Sequence, residues 1–448
     1  MNKFEKILLT LFFVELFAGG GGRLIDFGFL SIRQVLFLLL VLTFMFRIVR
    51  ERAYLDKQIN TFIRFNPLTI LIYLLIGSFV FASITGFIND HSISDIVTDF
   101  LRVSFIGAYF PLAYYITDDR FSKERVIKLL KYCALAVSLF TIIVSILGKT
   151  VFSADFYYFW SFMNDLMNDD LFFRPSRSVF YKSHLFVLIA LIISLNAVLE
   201  KKYSKIDILN LIFCSISVLW SETRGFLLAF MVAVITIILL DARIFTEPLK
   251  KFGQKIKAIF KSKQFLKKMI ISMVVVLSVP VLFNYMTLER FENTAKENDH
   301  KDSKYKDKKK KKEEVNDVSV NSRVEDIYAA KEILSDPVHL VLGAGYGQVI
   351  GERVSGIEMS FLDILVEQGL IGLAVWLSLC LLAFYNYHVV YKLNRKISTL
   401  EISLLAAFMG MLLLTNINPF INNPIGIVFF LFIVIMSQNR KEKELIGG

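Results

Sequence analysis

The sequence predicts an all-α polytopic membrane protein, and three observations carry that prediction. About twelve apolar stretches of membrane-spanning length run through the chain. The basic residues between them fall almost entirely on one side. Of the 448 residues, 55% are hydrophobic and 14% aromatic, with 43 phenylalanines. A soluble protein with so much apolar surface would need an unusually large core, whereas hydrocarbon solvates the excess.

The candidate spans lie near 5–19, 27–48, 67–88, 96–117, 130–148, 179–199, 206–221, 224–242, 269–286, 359–386, 402–417 and 422–437. Lys3 and Lys6 before the first of them resemble the start of a signal peptide. No convincing small-residue cleavage site follows, and another apolar segment comes at once, so the stretch reads as a retained span. Arg47, Arg50, Arg52, Lys57 and Arg64 follow the second span. Arg120, Lys123, Arg125, Lys128 and Lys131 follow the fourth, and Lys201, Lys202 and Lys205 the sixth. The short stretch 243–268 is the densest in basic residues. Lys392, Arg395 and Lys396 follow the tenth span, and Arg440, Lys441 and Lys443 come after the last. With both termini cytoplasmic, all these loops share one side and the number of spans is even. The short loops on the other side, around 89–95 and 416–422, contain neither Lys nor Arg.

The formal charge of +11 would suggest nucleic acid in a soluble chain. Here the short-loop cations set topology and meet anionic lipid heads, so membrane lipid is an expected partner and nucleic acid is not. Cys133, Cys214 and Cys380 all fall in apolar segments and read as small buried hydrophobes. His91, His184, His300, His339 and His388 form no metal-ligand spacing. Neither a cofactor nor a metal is expected.

The chain reads as one membrane domain over 1–448, with two larger loops on the non-cytoplasmic, periplasmic side. The first, 149–178, is rich in aromatics and Asp and ends in Arg174 and Arg177. The second, 287–357, carries the run Lys308 to Lys312 inside a hydrophilic insert with the composition of a disordered segment. Long loops obey the charge rule weakly, so this run does not overturn the topology.

Arginines at that outer boundary are the functional signal. A guanidinium near hydrocarbon costs roughly 2.5–3.5 kcal/mol at mid-helix and less toward the interface, and it is usually retained for a partner. The tight turn Ser221-Glu222-Thr223-Arg224-Gly225 separates two spans and sets Arg224 at the outer face. Arg174 and Arg177 precede the sixth span, and Arg323 opens a helical stretch that ends before Pro337. Guanidinium groups from separate parts of the chain suit a phosphate or diphosphate, which they bind by paired, charge-assisted hydrogen bonds. The competing reading pairs Arg224 with Glu222, and Arg174 and Arg177 with Asp169 and Asp170. After Pro337 comes LVLGAGYGQ, in which Gly343, Gly345 and Gly347 permit a tight backbone path close to a helix or a ligand. Residues 358–376 then read as a short helix, a break at Gly369 and a long span.

The order SETRG, SRVEDIYAAKEILSDP, LGAGYGQ, SFLDILVEQGLIGL resembles the O-antigen ligase and polymerase superfamily over roughly 221–376. The resemblance implies a membrane glycosyltransferase of the type C fold, inverting and metal-independent, with a glycan on undecaprenyl diphosphate as donor. Arg224 and Arg323 match the positions that engage the lipid diphosphate, and Arg174 or Arg177 matches the basic position before the sixth span. One departure matters. Ligases carry a His-Asn pair shortly before the Leu-Ile-Gly signature, and the corresponding slots here hold Glu358 and Met359, with His339 too early. A carboxylate can take a proton from an attacking hydroxyl, so Glu358 is the candidate catalytic base. Its competing role is to cap the helix that follows. Glu367 is expected to be structural.

The missing histidine favours a polysaccharide repeat-unit polymerase of the bacterial inner membrane, with a chain-length regulator protein as a candidate partner. The first rival is a ligase that passes glycan to lipid A-core. The second, from another class, is a transporter that flips the lipid-linked oligosaccharide, and Arg33 and Arg102, in or near apolar segments, keep it open.

Overall fold

The computed structural model describes residues 1–22, 24–25, 30–241, 265–279, 281–282, 318–353, 356–394 and 397–447. The Lys308–Lys312 run and nearly all of the basic segment 243–268 lie outside them. The described chain is mostly helical, and helices stand where the apolar stretches do.

Local signals account for where the helices begin. α1 (Lys3–Ala18) and α2 (Ile32–Arg50) start on capping boxes, Asn2 with Glu5 and Ser31 with Gln34. Asn66 caps α3 (Pro67–Ile88), which has Pro67 in its first turn where no backbone donor is needed. α4 (Ile93–Val103) passes through a 3-10 segment, Ser104–Ala108, into α5 (Tyr109–Tyr115). Ser122 caps the long α6 (Lys123–Lys149). After α7 (Phe156–Leu166) and a β-hairpin come α8 (His184–Leu199), α9 (Lys205–Trp220) and α10 (Arg224–Asp241). α11 covers 265–279. The rest are α12 (Val318–Ile333), α13 (Pro337–Leu342), α14 (Ser360–Asn394), α15 (Thr399–Leu414) and α16 (Pro424–Gly447).

Among the described residues seven helical segments are long and apolar enough to cross a membrane, and α8 and α15 are shorter apolar helices. Outward-facing residues are apolar too: Phe46 is 64% exposed, Phe87 66% and Ile88 70%. Such a surface is stable in lipid and not in water. The chain is a polytopic membrane protein. α8 is apolar all round and buried from His184 to Ala197, which places it at a bundle centre. It packs against α6, α9, α10 and α15. α16 is buried in the same way over most of its length, against α14 and the α4–α5 segment.

The chain is not purely α-helical. The first large loop holds α7 and β1 (Leu171–Phe173), which pairs antiparallel with β2 (Val179–Tyr181) in a hairpin, so the stretch expected to open the sixth span is a strand and the helix begins at His184. Short runs of aromatic and β-branched residues flank the hairpin turn, a composition that suits strands. Phe173 faces Val179, and the Arg174 N–H closes the turn on Ser178 O at 2.8 Å.

The bundle has two chemically distinct ends. At one, Arg47 on α2 donates to Glu5 on α1 at 2.7 and 2.6 Å, and Lys202 donates to Thr399 at 3.1 Å. Lys268 donates to Asn196 at 2.9 Å and to Glu200 at 2.8 Å at that same end. At the other end meet the hairpin, the 221–224 turn, the glycine-rich segment and the 415–423 loop.

Candidate functional site at the arginine-bearing end

The glycine-rich segment sets the floor of this end. Ala344 N–H donates to Val366 O at 2.8 Å, Gly345 N–H to Glu367 O at 3.1 Å, and Tyr346 N–H to Ala82 O at 3.0 Å. The segment thus threads between α3 and the break in α14. Gly345 has φ +91°, and a Cβ there would stand 2.2 Å from Gly86 N. The break at Gly369 is present, with φ 67° and ψ −172°, and it opens Val366 O and Glu367 O to the segment. These glycines allow backbone to approach helix, the structural half of what their spacing suggested.

Arg102 pins the same region from beneath. It lies 3.0 Å from Asp363, 2.7 Å from Glu367 and 3.4 Å from Asp99. Asp99 in turn accepts from Gly347 N–H at 2.9 Å, and Asp363 from Ile357 N–H at 3.1 Å and Asn422 Nδ2 at 2.7 Å. Arg33 pairs with Glu15 at 2.9 Å and donates to Gly20 O at 2.9 Å, closing the α1 terminus. Both arginines inside apolar segments are therefore helix-pairing residues.

Above this floor the sequence-predicted site residues come together in part. Arg174 donates from Nε to Ser221 O at 3.1 Å and from Nη2 to Thr223 Oγ1 at 2.9 Å, with its guanidinium over the Phe180 ring. It therefore holds the turn that presents Arg224, the first residue of α10. Glu222, in a left-handed conformation at φ 49°, is buried and accepts from the Ser176 hydroxyl. A Cβ on Gly225 would meet Ile417 at 3.2 Å, so the start of α10 lies against the 415–423 loop. Arg323 donates to Ile417 O at 3.1 Å from the other side. Arg174, Arg224 and Arg323, from three separate segments, thus border one patch of backbone. Arg177 is turned elsewhere, over the Phe156 ring at 4.9 Å and toward Gly148 O at 3.3 Å.

Glu358 stands directly beside Arg323, which donates to its Oε2 at 2.7 Å. Its Oε1 is 3.7 Å from Nη2 of Arg353, a residue that sequence reasoning passed over. Arg353 also donates to Ser322 Oγ at 3.1 Å and lies 3.5 Å from Asp326. Burial pushes the Asp326 carboxyl up, and Arg353 pulls it partly back. Asp363, in the first turn of α14, accepts from Ile357 N–H, and Glu358 faces the two arginines. His339 is on α13, with its ring 3.3 Å from Ile333 O at the end of α12. Asp170 accepts from Lys182 at 2.7 Å and from Gly21 N–H at 2.6 Å, which answers the expectation that it balances Arg174 and Arg177. Among the described residues no cluster of three or more His, Cys, Asp or Glu is arranged to hold a metal ion.

Comparison with known proteins meets this geometry. Residues 209–377 match the family profile described as O-antigen ligase, a stretch that holds Arg224, Arg323, Arg353, Glu358 and the glycine-rich segment. An O-antigen polymerase from Shigella flexneri is 28% identical over 447 residues, covering 97% of this chain and 95% of that protein. The chain is similar to the O-antigen ligase and polymerase superfamily. The family match begins in α9 and ends in α14, so it spans the Arg224 turn, the glycine-rich segment and the two acids Asp363 and Glu367, while Arg102 and Asp99 lie outside it. Arg174 and Arg177 lie outside it but within the full-length similarity to the polymerase.

Proposed function

We propose that the protein is a surface-polysaccharide polymerase that moves a growing glycan from undecaprenyl diphosphate onto a lipid-linked repeat unit. One observation carries the reading: Arg174, Arg224 and Arg323 border one patch at a single end, with Glu358 against Arg323. The reaction needs cationic donors at the departing diphosphate and a base at the attacking hydroxyl. Arg224 and Arg323 bind the diphosphate and stabilise its charge as the anomeric C–O bond breaks, the task a metal ion performs elsewhere. Glu358 takes the hydroxyl proton as the acceptor oxygen attacks from the opposite face, inverting the anomeric centre. Arg174 holds the Arg224 turn, so of the two hairpin arginines it is the one assigned to the site.

The topology completes the reading. About twelve spans with both termini cytoplasmic leave the arginine-bearing end on the periplasmic side of the inner membrane. The loops 149–178 and 287–357 then lie on that side and 243–268 in the cytoplasm. The full-length similarity to a protein named O-antigen polymerase, together with Glu358 and Met359 in the slots where ligases carry His-Asn, favours polymerase over ligase. Arg33 and Arg102 are held by carboxylates, which supports the transferase reading over the transporter.

Complementation of a deletion strain, read by gel analysis of surface glycan, tests this. The expected deletion phenotype is lipid A-core with one repeat unit, restored to a ladder by wild type but not by Arg224→Ala or Arg323→Ala. Core without any repeat, with long glycan accumulating on the lipid carrier, would install the ligase instead. Single units trapped on the cytoplasmic face would install the transporter.

A further inference from the structure

The two oxygens of Glu358 face two different guanidinium groups. Oε2 receives Arg323 at 2.7 Å, and Oε1 lies 3.7 Å from Arg353. The two arginines are anchored differently. Arg323 reaches across to Ile417 O, toward the α10 start where Arg224 stands. Arg353 is held on the far side by Ser322 Oγ at 3.1 Å and Asp326 at 3.5 Å, both on α12. Glu358 is 34% exposed and Arg353 33%, so neither is sealed in place as the Arg102 acids are.

A diphosphate arriving on Arg323 competes with Glu358 for the same guanidinium. Nη2 has two N–H groups and both are taken, one by Glu358 Oε2 and one by Ile417 O, so a phosphate oxygen engaging that nitrogen displaces one of them, and the multiply charged ligand takes the place of the carboxylate. The carboxylate would then swing free unless something retains it. Resting on the reading of Arg323 as a diphosphate ligand and Glu358 as the base, we propose that Arg353 is a positioning residue that keeps Glu358 aimed at the acceptor while the donor occupies Arg323. The step balances within the site. The acceptor O–H proton passes to Glu358, the oxygen forms the new bond to the anomeric carbon, and the old C–O pair leaves with the diphosphate. The proton on Glu358 then returns to water. Besides Arg323 and Arg353, Asp326 is a charged neighbour of this carboxylate.

Purified full-length protein, given lipid-diphosphate-linked repeat units, tests this with Arg353→Gln and Arg353→Lys beside Glu358→Gln. Arg353→Gln is expected to lower kcat about tenfold with little change in KM, and Arg353→Lys to recover most of that kcat. A loss that falls on KM, or no loss, with Glu358→Gln inactive, would overturn the role of Arg353 and leave the base in place. Wild-type turnover by Glu358→Gln would overturn both. If Arg353→Gln does not accumulate in the membrane, Ser322→Ala removes only a hydroxyl that accepts from Arg353. A few-fold kcat loss at unchanged KM then supports the role, and wild-type kinetics overturn it.

Discussion

Arg102 and Arg323 both meet carboxylates, yet the two regions are built on opposite terms. At Arg102, three acids from two helices compete for one guanidinium, and Asp99, Asp363 and Glu367 are each no more than 2% exposed. At Glu358, two guanidinium groups compete for one carboxylate that remains one-third exposed. A sealed pair can only be broken at the cost of an uncompensated buried charge, so it holds the glycine-rich segment and the α14 break in register. A half-open pair can exchange partners with an incoming anion at little cost. Burial and the direction of the competition, more than the presence of arginine, distinguish the Arg102 scaffold from the site proposed around Glu358.

The largest effect should come from breaking the sealed side. Arg102→Met strands three buried carboxylates and is expected to cost about 3–5 kcal/mol, read as loss of the protein from membranes or a steep fall in Tm in detergent. A variant as stable as wild type would erase the contrast. Gly345→Ala tests the floor by another route. A left-handed conformation costs a side chain about 1–2 kcal/mol, and the Gly86 backbone 2.2 Å away adds a clash, so Tm should fall without any change in charge. On the open side, Arg174→Ala should slow chain lengthening roughly tenfold more than Arg177→Ala, since Arg174 holds the 221–224 turn and Arg177 lies against Phe156 and Gly148. Equal losses would return Arg177 to the site. The smallest effect is expected at Lys443, which holds the Asp118 carboxyl below its usual range across an exposed 2.9 Å pair. That contribution exists above the usual Asp pKa and fades as pH falls, so Lys443→Ala should leave Tm near pH 7 unchanged within error, and a clear drop would contradict it.

Much of this contrast was legible in residue order, and the rest was not for identifiable reasons. Hydropathy placed the helices, and the position of Gly369 inside an apolar run announced the break. Charge asymmetry placed Arg174, Arg224 and Arg323 at one end, because topology alternates and needs no tertiary contact. The Arg102 cluster was invisible because its partners Asp363 and Glu367 are more than 250 residues away, and periodicity says nothing about pairing across such distance. Arg353 escaped because it sits in an irregular segment where spacing has no meaning. The α7 helix and β1 fall in the stretch read as loop and β2 in the first residues of the stretch read as the sixth span, since a three-residue strand leaves almost no alternation to detect. Choosing Arg174 over Arg177 needed the hairpin turn, which points the two side chains apart.

The most direct test of the central claim uses purified protein, wild type and Arg323→Ala, with lipid-diphosphate-linked repeat units as both donor and acceptor. Product length on the carrier would be read alongside Tm. The account predicts that wild type builds a ladder, while Arg323→Ala keeps its Tm and loses chain lengthening by on the order of a hundredfold. A folded Arg323→Ala variant that polymerises at the wild-type rate would contradict it.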